Sequence, residues 1–82
     1  MQIDYEYYTQ KTAELIRSHL KNAVRYKKSD DDHLYRLFFA DAVATYHAWV
    51  IITCIFPEER IRNDKNHLAS FIQDVDPEWS GV

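Results

Sequence analysis

The 82-residue chain has one glycine, two prolines and one cysteine. A single glycine excludes the phosphate-cradling loops of Walker or dinucleotide type, which need several. It also counts against an all-β fold, whose turns consume glycine. A single cysteine excludes an internal disulfide and a cysteine-based zinc site within these residues. The start, Met1-Gln2-Ile3-Asp4-Tyr5-Glu6, lacks the basic residues and apolar run of a signal peptide. Repeats, low-complexity tracts and linkers are likewise missing.

Apolar residues make up 46% of the chain and charged residues 28%, with a formal net charge of −3. That balance describes a globular domain rather than a disordered tail. The length allows one domain, covering residues 1–82, in a size range where a single small core is only marginally sufficient. Cys54 sits in the run Ile51-Ile52-Thr53-Cys54-Ile55-Phe56, so it reads as a small buried hydrophobe. A cytoplasmic location is the default expectation.

The spacing predicts three helices, over about residues 4–28, 32–56 and 57–75, with a short tail over 76–82. In the first, Tyr5, Tyr8, Thr12, Leu15 and His19 recur at three- and four-residue steps beside Ile16, Leu20 and Ala23. This forms one broad face of helical period. Asp4 and Glu6 at its start, and Arg25, Lys27 and Lys28 at its end, suit the helix dipole. Ser29 to Asp32 then breaks the chain and offers caps for the next helix. In the third, Pro57 and two acids form the opening turn, and Ile61, Leu68, Ile72 and Val75 mark the apolar side.

The second helix is unusual. Of the 23 residues from Leu34 to Phe56, 18 are apolar. The exceptions, Arg36, Asp41, Thr45, His47 and Thr53, share no face at 100° per residue. A helix with no polar stripe is buried on all sides or sits in lipid. Asp41 counts against a membrane span, at about 2.5–3.5 kcal/mol for a central aspartate. Three short helices cannot surround the second one. The expected architecture is therefore all-α: a helical hairpin plus a third helix, forming a homo-oligomer through the apolar second helix.

Three sets of residues stand out. An antiparallel hairpin brings together, at equal height, residues whose numbers add to about 61. It sets Asp41 level with Lys21 and His47 level with Glu14. Glu14, Asp41 and His47 are therefore expected as buried polar groups that specify register or oligomer state, with Arg17, Lys21 or a second subunit as the partner of Asp41. The same three could serve a small enzyme or, with His67, a metal site. No second catalytic group is specified, so no catalytic residue, metal or cofactor is assigned. The basic positions Lys11, Arg17, Lys21, Arg25 and Lys28 line the first helix and could hold a nucleotide or other phosphorylated anion. The net negative charge disfavours a general nucleic-acid binder. Tyr5, Tyr7 and Tyr8 cannot all face one core, so at least one is available to a partner. The function expected from this reading is a non-catalytic protein–protein interaction module of regulatory, inhibitory or assembly type. Its partners are itself and a second protein.

Overall fold

The computed structural model describes residues 4–80, and among them it contains three α-helices and no strand. The elements are α1 (Tyr5–Lys28), α2 (Asp32–Thr53) and α3 (Glu58–Val75). Each end has a local cause. Asp4 caps α1 by accepting a hydrogen bond from the Tyr7 amide at 3.1 Å, and Asp31 caps α2 by accepting from the Leu34 amide at 3.1 Å. Between the two helices, Asp30 takes a left-handed conformation with φ of 58°, one of the few states in which two helices can be joined this tightly. The Pro57 ring disfavours a helical conformation at Phe56, and α2 stops at Thr53, three residues short of the end expected from the apolar run.

The α1–α2 hairpin is the most extensive contact, and α3 packs against both helices. The core is built from Ile16 and Leu20 on α1, Ala42, Tyr46 and Trp49 on α2, and Ile61, Leu68 and Ile72 on α3. Ala23 and Ala42 are fully buried where the backbones approach closely. Trp49 is also fully buried, and its indole N–H donates to Thr9 Oγ1 at 2.9 Å. The buried Thr53 hydroxyl donates to the Trp49 carbonyl at 2.7 Å. Among the described residues no buried side-chain polar atom lacks a partner. After α3 the chain turns back, and Trp79 lays its ring edge-to-face on Tyr46 at 5.4 Å.

The backbone extends 42 × 25 × 14 Å. Between Cα atoms, 14 Å is the thickness of two packed helix layers, since one helix spans about 5 Å and a neighbour's axis lies about 8–10 Å away. Each helix touches the other two, so α2 has neighbours on two sides only and its remaining side is open. No helix of the described residues is long and apolar enough to cross a membrane.

Candidate interaction surface

The first turn of α1 anchors one end of the three-helix packing. The Tyr5 hydroxyl donates to Asp64 Oδ2 at 2.6 Å. Its ring lies edge-on to Phe56 at 5.2 Å and under the Arg60 guanidinium at 5.3 Å. Burial, reinforced by the Asp64 carboxylate, pushes the Tyr5 hydroxyl up to about 12. Tyr8 packs against the core. Of the three tyrosines offered as a partner surface, Tyr5 and Tyr8 are therefore committed to the chain's own packing. Tyr7 alone is well exposed, at 60%, with the Lys11 ammonium 5.6 Å from its ring centroid.

The expectation of burial for Glu14, Asp41 and His47 does not hold within the chain, where all three are exposed. The packing explains this for Asp41 and His47, since the side of α2 that carries them has no helix over it. Glu14 pairs instead with Lys11 at 3.3 Å. Among the described residues neither Arg17 nor Lys21 forms an ion pair with Asp41. Glu14, His47 and His67 do not converge either: among the described residues no group of three potential ligands could hold a metal ion. His67 packs on Phe71 at 4.7 Å. Cys54, expected in the core, is also exposed, because α2 has ended and the turn carries the thiol outward.

What α2 turns away from the core is largely apolar. Exposures are 49% for Leu37, 69% for Ile51, 40% for Ile52 and 69% for Ile55, and Ala40, Ala44 and Ala48 lie exposed between them. Sequence reasoning found this helix but not its inward face, because hydropathy is nearly uniform around it. Shape decides the matter. The large rings of Tyr46 and Trp49 fill the space against α1 and α3, and the isoleucines are left outside.

The basic residues gather on the opposite edge of the hairpin. Arg17, Lys21, Arg25 and Lys28 line an open groove of about 1180 Å³, with Val24 and Phe71 among its apolar walls and the carboxylates of Glu14 and Asp74 also in its lining. The Arg17 guanidinium stands 5.7 Å from the Phe71 ring centroid. None of these four bases forms an ion pair among the described residues. Lys11 is the member of the predicted stripe that the structure separates from the rest. The groove exists because α3 ends near Val75, leaving the upper part of α1 uncovered.

The chain matches no protein-family model, no curated protein and no solved structure.

Proposed function

We propose that this chain is a non-catalytic helical interaction module that self-associates through the outward face of α2 and in that state presents itself to a protein partner. The observation that carries this reading is the exposed strip of Leu37, Ala40, Ala44, Ala48 and Ile51 on α2, continued by Ile52 and Ile55. Single exposed apolar side chains are ordinary, but an apolar strip of this kind is what interfaces are made from. From Leu37 to Ile51 it is about 21 Å long, by the helical rise over 14 steps. With a width near 10 Å its footprint is about 400 Å² over both partners, well below a standard interface, so the association is weak and concentration-dependent. The exposed thiol of Cys54 suits a reducing compartment such as the cytoplasm.

Analytical ultracentrifugation over a micromolar to millimolar series tests the reading. A monomer–dimer equilibrium is expected, shifted to monomer by Ile51→Asp with the helical content unchanged. A monomer at every concentration would refute it.

A second reading rests on a different observation, the basic groove along α1. It would take a nucleotide or similar phosphorylated anion, with the Arg17 and Lys21 side of the groove holding phosphate and the apolar wall at Val24 and Phe71 meeting the rest. Thermal-shift measurements against nucleoside triphosphates and inorganic polyphosphate decide it. Stabilisation that disappears in Lys21→Glu supports the reading, and no shift at millimolar ligand removes it.

A further inference from the structure

The outward face of α2 is self-complementary about a single residue. At 100° per residue, Leu37 and Ile51 lie about 20° to either side of Ala44, Ala40 and Ala48 about 40°, and Asp41 and His47 about 60°. Each pair is also equidistant from Ala44 along the helix: about 4.5 Å for Asp41 and His47, and about 10.5 Å for Leu37 and Ile51. A twofold axis through Ala44 therefore exchanges like with like in shape and carboxylate with imidazole in chemistry.

We infer that a second copy of this chain docks antiparallel on the α2 face with Ala44 at the twofold axis, setting Leu37 against the partner's Ile51 and Asp41 level with the partner's His47. This rests on the self-association proposed above and specifies its geometry. With Ala44 facing its own copy, the small exposed side chains at 40, 44 and 48 allow an approach of about 10 Å between axes. At that separation the Asp41 and His47 Cβ atoms of opposite chains stand about 9 Å apart across the seam, near enough for a carboxylate and an imidazole to attract. Charge complementarity selects this arrangement over its rival. A parallel pair in register sets Asp41 nearest the partner's Asp41 and leaves the two helix dipoles aligned, whereas the antiparallel pair opposes the dipoles and sets each carboxylate nearest the partner's imidazole.

Two measurements test the register, both in a Cys54→Ser background. Leu37→Cys and Ile51→Cys chains are mixed, oxidised and resolved by mass. The antiparallel register gives mainly the mixed disulfide between position 37 of one chain and position 51 of the other. A parallel register gives two homodimeric disulfides and no mixed one. Separately, Asp41→Lys and His47→Glu are each expected to weaken dimerisation about three- to fivefold, and the double variant to restore it to within about twofold. Circular dichroism on each variant confirms that the fold is retained, as expected for exposed positions. Dominant homodimeric disulfides, or a double variant no better than the singles, would overturn the register while leaving self-association intact. A sedimentation profile that is monomeric throughout would overturn both.

Discussion

Replacing Tyr5 by phenylalanine removes one hydroxyl and leaves the ring on Phe56 and Trp49. The lost bond is that to Asp64 at 2.6 Å. A hydrogen bond to a charged acceptor contributes about 1.5–3 kcal/mol net. Both groups here are only partly buried, so water competes, and a freed Asp64 carboxylate is readily rehydrated. The expected loss is about 1 kcal/mol, the lower end after that screening. In a domain of this size this lowers the melting temperature by about 4–8 °C. The dependence on pH is the sharper test. Tyr5 titrates at about 12 in the folded chain against 10.0 when unperturbed. Below pH 10 the hydroxyl is protonated in both states, and the bond contributes fully. Between 10 and 12 the unfolded chain releases the proton while the folded chain holds it, so the contribution shrinks as pH rises. Thermal melts of the native chain and Tyr5→Phe, followed by far-ultraviolet circular dichroism from neutral pH upward, should show a gap that is constant up to about pH 10 and then narrows. Equal melting temperatures at neutral pH would show that the bond is not a stabilising one, and a gap that persists undiminished well above pH 10 would show that folding does not raise the Tyr5 titration.

Other expectations follow from the core and the surface. Trp49→Ala costs about 3–5 kcal/mol through the cavity it leaves, and it also strips Thr9 Oγ1 of its donor. Against a total of about 4–12 kcal/mol for a chain of this length, the variant should lose at least about a quarter of its stability in a denaturant titration extrapolated to water. Cys54 should react with a thiol reagent in native buffer about as fast as in denaturant, since it is exposed; strong protection would contradict its placement. Lys21→Glu, on an exposed site, should move the melting temperature by no more than about 0.5 kcal/mol equivalent.

Much of the fold was legible before any coordinates. The start of α1 at Asp4 and of α2 near Asp31 follows from capping chemistry, and the inward faces of α1 and α3 follow from period. The antiparallel level rule, with numbers adding to about 61, is met closely by Trp49 against Thr9 and by the stacked pair Tyr26 and Phe38, 5.5 Å apart. The end of α2 was misplaced because polarity gives no signal inside Ile51 to Phe56; the stop is set by backbone sterics at Pro57. The site was read less well. Burial of Asp41, His47 and Glu14 requires an α2 covered on every side, and its two neighbouring helices leave its outer side open. Tyr5, Asp64 and Arg60 could not be joined by any local rule, because their partnership depends on how α3 docks. The basic stripe survives as four of its five members, with Lys11 drawn off by Glu14.

The Tyr5–Asp64 bond has a kinetic side. It joins positions 59 apart in the chain, whereas the hairpin is secured by closures such as Trp49 to Thr9, 40 apart, and by tighter ones near its turn. Short closures lose less entropy and form earlier. The hairpin is therefore expected to form first, with α3 meeting the first turn of α1 after the main barrier has been crossed. Contacts made on the far side of the barrier leave the folding rate alone and slow the return journey. The phenol at the very start of the first helix thus acts as a latch: its loss should accelerate unfolding severalfold in stopped-flow traces while refolding proceeds at the same pace.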